Sequence, residues 1–317
     1  MGHLKVLFMG SPDFALPSLE EIKKSSHSIA GIITRPDNPG GRGYKRSETP
    51  VKQWAKSKGL PVYQPQRLID EDFFRQMRNL APDIIVNVAF GRIVPQKLLD
   101  MPEYGSINLH PSLLPLYRGA SPVQRAIFNG DSETGVTVLF MEEEIDAGDI
   151  ILQERETILP DDTTGELLRR LSFKGSAIMQ KALDLIASGD VPRIPQKDEE
   201  SNYAPLITAD EEVIHWGKTS WEIHNKVREL SPAPGAYTLF KGSRLKIWET
   251  KLLNIKEDLF EESLPGMVVS LDTEGFRVKT GDGVIMIKTV QLAGKKKSDA
   301  GDFWRGYRIN ENMLLGK

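Results

Sequence analysis

Ser106-Ile107-Asn108-Leu109-His110-Pro111-Ser112-Leu113-Leu114-Pro115-Leu116-Tyr117-Arg118-Gly119 is the stretch from which the architecture can be read. Ile107 and Leu109 alternate with Asn108 and His110, the period of a strand. An amide and an imidazole therefore leave one face of one strand, two residues apart. Pro111 ends the strand and a Pro- and Gly-bearing loop follows. Upstream, Asp83–Ala89 is a nearly unbroken apolar run, as are Leu4–Met9 and Ser28–Thr34. Helical stretches separate them: Phe14–Lys24, Pro50–Lys58 and Asp70–Leu80, with a short strand at Pro61–Gln64. Apolar strands alternating with helices are buried on both faces, as in a parallel sheet covered by helices.

Downstream, a helix at Pro122–Asn129 precedes an apolar strand, Gly135–Met141, and an amphipathic helix, Gly165–Ala187, closes this part. Thr163 and Glu166 have capping-box spacing at its start. The composition then changes. Residues 189–206 are polar, hold Pro192, Pro195 and Pro205, and carry Asp198-Glu199-Glu200, which reads as a linker. Beyond it come one helix, Ser220–Leu230, and short strands at Ala236–Phe240, Leu245–Thr250, Gly266–Ser270, Gly275–Thr280 and Gly283–Leu292. Short strands at this spacing suggest a small barrel. The expected fold class is α/β. A Rossmann-like, mostly parallel sheet domain spans residues 1–188. The linker 189–206 follows, and then an OB-like β-barrel over 207–317.

The 317 residues suit two domains, and 39% hydrophobic with 27% charged residues is ordinary for a globular chain. There is no cysteine, so disulfides, thiolate catalysis and Cys-type zinc sites are excluded. His3, His27, His110, His215 and His224 have no metal-ligand spacing, and no metal requirement is expected. No apolar run approaches a membrane span, and the N-terminus does not read as a secretory signal, so a cytoplasmic location without membrane contact is expected. A net charge of -3 argues against coating nucleic acid by bulk charge but leaves room for local basic patches. The expected oligomeric state is the default, a monomer. The turn Gly10-Ser11-Pro12-Asp13 lacks the spacing of a dinucleotide-binding loop.

Asn can stabilise a developing oxyanion and His can move a proton near neutral pH. The same pair could equally satisfy loop backbone. The longer pattern Asn-x-His-Pro-Ser-Leu-Leu-Pro followed by Arg-Gly resembles the signature of the folate-dependent formyltransferases. That resemblance implies a third member, an Asp in a loop after a strand. Asp146-Ala147-Gly148 after Gly135–Met141 matches it. It implies Asn108, His110 and Asp146 as catalytic residues and 10-formyltetrahydrofolate as co-substrate. It also implies a folate site formed by Phe90, Gly91, Ile93, Val94, Ser112, Leu113, Leu114, Pro115, Glu143 and Glu144.

The acceptor is suggested by two other stretches. Thr34–Pro50 is an insertion in which Arg42, Lys45 and Arg46 stand among glycines. It resembles the loop of those family members that formylate the methionine of initiator Met-tRNA. A flexible basic loop suits a phosphate backbone gripped on arrival. Residues 207–317 resemble the C-terminal domain of the same members and carry Lys295, Lys296 and Lys297, which read as phosphate contacts or as a solvated turn. Competing readings are formylation of a nucleotide-linked amino sugar, hydrolysis of formyltetrahydrofolate, and an RNA-binding protein with a degenerate folate domain.

Overall fold

The computed structural model describes residues 2–37, 47–253 and 262–316. Arg42, Lys45 and Arg46 lie outside the described residues. By its internal contacts the chain divides into two units. The first is Met1–Pro122, Glu133–Thr157 and Leu168–Pro205; the second is Val123–Ser132, Ile158–Leu167 and Leu206–Lys317.

In the first part of the chain the elements run β1 (Lys5–Gly10), α1 (Leu16–Lys24), β2 (Ser28–Ile33), α2 (Pro50–Ser57), β3 (Val62–Tyr63), α3 (Glu71–Asn79) and β4 (Ile84–Val88). Then come α4 (Gln96–Leu99), β5 (Ser106–His110), β6 (Arg118–Gly119), α5 (Pro122–Asn129), β7 (Glu133–Phe140), β8 (Ile150–Thr157) and α6 (Thr164–Ser188). One seven-stranded sheet has the order β3-β2-β1-β4-β5-β7-β8. The pairs from β3 through β5 are parallel, while β7 and β8 run antiparallel. The strand order reverses between β1 and β4, and open parallel sheets bind ligands outside the carboxyl ends of strands near such a point. Leu7, Met9, Ile33, Ile85 and Phe74 are buried in one core on this sheet.

Strand β8 was not expected from the sequence. Its second half is Gln153-Glu154-Arg155-Glu156, charged where an apolar signal is sought, because β8 is an edge strand. Charge on an edge discourages pairing with other chains. Here it also anchors α6: Lys174 Nζ lies 3.0 Å from Glu154 Oε1, and Arg170 Nε lies 2.9 Å from Glu156 Oε1. The capping box expected at the start of α6 is present. Thr163 N donates to Glu166 Oε2 at 3.0 Å and Glu166 N to Thr163 Oγ1 at 3.3 Å.

Residues 189–206, expected to be a linker, are structured. Ile194 exchanges backbone hydrogen bonds with Ile150, and β9 (Tyr203–Ala204) pairs in parallel with β6. All but Leu206 belong to the first unit. A polar, proline-bearing stretch reads as free chain only when its hydrogen bonds go to water; here the backbone groups find partners in the protein.

The second unit holds α7 (Ser220–Glu229), β10 (Tyr237–Phe240), β11 (Ser243–Leu252), β12 (Val268–Asp272), β13 (Gly275–Lys279), β14 (Val284–Leu292), β15 (Ser298–Asp299) and α8 (Ala300–Tyr307). Its sheet is wholly antiparallel, in the order β10-β11-β14-β13-β12 with β15 on β14. Among the described residues the hydrogen-bonded path ends at β10 and β12. Trp216, Ile223, Phe240, Ile247, Phe276 and Phe303 share its core. Helix α8 escaped the sequence reading because Gly301 and Gly306 dilute its helix propensity.

This unit also recruits Val123–Ser132 and Ile158–Leu167. Arg125 forks onto Glu211 at 2.6 and 3.2 Å, and Thr164 Oγ1 donates to the Glu229 carbonyl at 2.6 Å. The Glu229 side chain is 1% exposed, and burial raises its carboxyl to about 7 from an ordinary 4.5. A raised folded value makes the folded state hold its proton longer than the unfolded state. The stability it confers is full below about 4.5 and is lost as pH rises through about 7. Glu229→Gln should therefore stabilise this unit at pH 8 relative to the parent, by on the order of 3 kcal/mol, and scarcely at pH 4.5. Four of the five tryptophans (Trp216, Trp221, Trp248 and Trp304) lie here, so fluorescence-detected urea unfolding follows this unit. Equal stabilisation at both pH values would contradict the assignment.

Candidate active site

Asn108 and His110 leave β5 on one face, as their spacing requires. In the register of the sheet Asn108 stands beside Asn87 of β4, and His110 beside Thr137 of β7. Asp146 arrives from the loop between β7 and β8 and meets both. Its Oδ1 lies 3.3 Å from Asn108 Nδ2, and its Oδ2 lies 3.4 Å from His110 Nδ1 and 2.9 Å from the backbone N of Gly119. The three side chains matched from sequence thus gather around one carboxylate, which Asn108 hydrogen-bonds and His110 approaches within ion-pair distance. Both His110 and Asp146 are largely buried, with side chains 4% and 11% exposed.

Each orientation has a cause. Asn87 Nδ2 donates to Asn108 Oδ1 at 2.8 Å, which turns the Asn108 amino group toward Asp146. The reverse arrangement would set an amide oxygen against a carboxylate. His110 Nε2 lies 2.9 Å from the Tyr117 carbonyl. A carbonyl only accepts, so Nε2 carries a hydrogen there and Nδ1 is the nitrogen turned to Asp146. Asp146 itself has φ 56°, the left-handed region. That conformation costs a residue with a Cβ roughly 1–2 kcal/mol, less for Asp than for most.

Gly148 keeps the loop against its strand. A Cβ there would stand 2.1 Å from the Phe140 carbonyl oxygen. Backbone cannot yield as a flexible side chain does, so Gly148→Ala should displace the Asp146 loop. The expected result is a fall in turnover of roughly a hundredfold in a protein that still folds. Parent-like turnover would show that the loop can move without consequence.

The residues expected around a folate separate into three groups. Phe90 is 1% exposed and packs in the sheet core. Val94 packs on the same core, whereas Ile93 is 81% exposed beside Gly91. Ser112 is fully buried with its hydroxyl on the Leu116 carbonyl, and Leu114 packs with Leu139 and Ile150. Leu113 and Pro115 are half-buried, and Glu143 and Glu144 are exposed. A cavity of about 540 Å³, lined by Leu99, Ser106, Phe140, Met141, Glu142 and Arg193 among others, borders the start of the Asp146 loop.

Several participants were not singled out from sequence. Asn87 had a signal, since it is the one polar residue in Ile84–Val88. The Tyr117 carbonyl and the Gly119 amide are backbone groups and have none. Lys295, Lys296 and Lys297 are exposed at the turn joining β14 to β15, where Lys297 Nζ stands 3.6 Å over the Trp248 ring. Among the described residues no three His, Cys, Asp or Glu side chains gather as a metal site needs, and no helix is long and apolar enough to cross a membrane.

The sequence profile described as formyl transferase matches residues 4–183, and that of the formyl transferase C-terminal domain matches residues 206–308. The chain belongs to the formyl transferase family. Among its relatives is the methionyl-tRNA formyltransferase of Moorella thermoacetica, 45% identical over 313 residues, which cover 99% of each chain. The enzyme of the same name from Pelotomaculum thermopropionicum is 42% identical over 314 residues, again 99% of each. Solved structures share the fold at lower identity. WlaRD, a sugar 3N-formyl transferase, superposes with a TM-score of 0.66 at 22% identity over 92% of this chain and 99% of that one. HypX from Aquifex aeolicus in complex with tetrahydrofolic acid gives 0.67 at 19% identity, over 98% of this chain and 48% of that one. WlaRD, named as a sugar formyl transferase, has the same fold, so the fold alone does not choose the acceptor.

Proposed function

We propose that this chain transfers the formyl group of 10-formyltetrahydrofolate to the amino group of methionine on initiator Met-tRNA, for translation initiation. The observation that carries this reading is full-length identity of 45% to a methionyl-tRNA formyltransferase, joined to an intact Asn108, His110 and Asp146 cluster. The sugar-directed WlaRD is 22% identical to this chain, about half the identity of the methionyl-tRNA formyltransferase of Moorella thermoacetica.

The amine of methionine attacks the formyl carbon. A C–N bond forms, the carbonyl π pair moves to oxygen, and a tetrahedral intermediate carries the negative charge. Asn108 Nδ2 donates to that oxygen. Its bond to Asp146 is long, at 3.3 Å, and is readily exchanged for a stronger one to an anion. Asp146, acceptor-only when ionised, takes the proton that the attacking amine sheds, directly or through water. His110 is held by Tyr117 through Nε2, so its Nδ1 is the atom that relays a proton toward the leaving folate nitrogen. Collapse re-forms the C=O, breaks the bond to that nitrogen, and returns the proton to it.

The flat pterin is assigned to the region between Gly91–Val94 and Met141–Glu144. Exposed Ile93 supplies apolar surface on one side, and on the other Met141 and Glu142 line the edge of a neighbouring cavity of about 540 Å³ that does not reach Gly91–Val94. Lys295, Lys296 and Lys297, which pair with no carboxylate among the described residues, are assigned to tRNA phosphates, as are Arg42, Lys45 and Arg46. The test is to offer 10-formyltetrahydrofolate with Met-tRNA, glycinamide ribonucleotide or an amino-sugar nucleotide. Formylation of Met-tRNA alone is the expected result; preference for either small amine would overturn the reading.

A further inference from the structure

We infer that Gln196, in the stretch after α6, is a positioning residue for Asp146. The inference rests on the formyl-transfer reading above. Gln196 Nε2 donates to two carbonyls of the catalytic loop, those of Asp146 and Gly148, each at 2.8 Å. Its Oε1 accepts from Arg118 Nε at 3.1 Å and Arg118 Nη2 at 3.0 Å. Both amide hydrogens and the amide oxygen are therefore used, and the orientation is unambiguous, since a guanidinium only donates and a carbonyl only accepts.

The geometry gives those bonds a purpose. Asp146 holds a left-handed backbone that an L residue with a Cβ leaves when nothing restrains it. Two bonds from one side chain, one to Asp146 and one to Gly148, span the turn and keep its carbonyls on one side. The Asp146 carboxylate then faces Asn108, His110 and the Gly119 amide together. Arg118, buried except for 8% of its side chain, fixes Gln196 in turn and is anchored by Asp198 at 2.9 Å. The surrounding chain supports the same arrangement. The Ile194–Ile150 backbone pair lies just beside Gln196, Asn202 Oδ1 accepts from Tyr117 N, and β9 pairs with β6. One stretch of chain thus braces the loop of Asp146, the residue whose carbonyl holds His110, and the strand whose Gly119 amide meets Asp146.

If Gln196 acts through Asp146, its loss should alter kcat and leave both KM values nearly unchanged, and it should have no further effect once Asp146 is gone. Residues acting as a unit are non-additive in this way. Gln196→Met keeps the length and removes both donors. It should lower kcat roughly ten- to a hundredfold with KM for Met-tRNA and for 10-formyltetrahydrofolate within about twofold. In an Asp146→Ala background the same change should cost less than about twofold in single-turnover rate. Gln196→Glu, which keeps the Arg118 partner while replacing the donor by an acceptor, should be impaired like Gln196→Met and guards against a variant that merely fails to fold. Undiminished kcat in both variants, or an equal loss with and without Asp146, would overturn the inference. A parent protein that does not formylate Met-tRNA would instead count against the proposed function.

Discussion

Asn108→Ala is expected to lower the formyl-transfer rate roughly a hundred- to a thousandfold, the usual cost of losing one oxyanion donor. The side chain is half-buried on the face of β5, and its amino group is turned into the cluster toward Asp146. Truncation removes it and also strips Asn87 Nδ2 of its acceptor. Neither loss touches the apolar core, so the protein should fold and bind folate. His110→Ala and Asp146→Ala should be impaired at least as severely. The first removes the imidazole proposed as the proton relay; the second removes the carboxylate that Asn108 and Gly119 hydrogen-bond and His110 faces. Rapid-quench single-turnover assays measure the chemical step directly. Parent-like rates in any folded variant would remove that residue from the mechanism.

The second large effect is expected in binding. Affinity for Met-tRNA should fall steeply with salt, with a slope of log K against log salt of about -0.9 for each duplex phosphate neutralised. Each of Lys295, Lys296 and Lys297 that touches a phosphate should take roughly 1 from that slope when changed to alanine. Lys297 is also held over Trp248, so its charge is presented from a fixed place. Filter binding across a salt series measures this. Affinity that ignores salt, or a slope unchanged in the triple alanine variant, would contradict the assignment. Removing 207–317 altogether is a poorer test than charge substitution. Val123–Ser132 and Ile158–Leu167 belong with those residues, and Arg125 and Thr164 would lose Glu211 and Glu229.

What was legible in the sequence was what depends on periodicity and on local chemistry. The buried parallel strands β1 and β4 carry apolar runs, β5 carries a strict alternation, and the Thr163–Glu166 cap is written in residues three apart. Asn108 and His110 share a face because strands have period two, and Asp146 was found through its Asp-x-Gly context. What depends on distant pairing was not legible. Edge strand β8 is charged, because among the described residues one side of it is met only by the Ile194 bridge. The supposed linker is polar for another reason: its side chains, Gln196 and Asn202 above all, bond to backbone far away in sequence. Phe90 shows the converse. An aromatic residue beside a turn suggests an exposed wall, and only three-dimensional packing shows its ring in the core.

The identity of donor and acceptor decides what this enzyme does. Purified protein should be incubated with 10-formyltetrahydrofolate labelled in the formyl carbon and with initiator Met-tRNA, and the aminoacyl end should be recovered and analysed. The predicted result is label on the methionine α-amine, one equivalent for each tetrahydrofolate released, abolished by Asp146→Ala. Release of labelled formate without formyl-methionine, or transfer only to a small amine, would contradict the account.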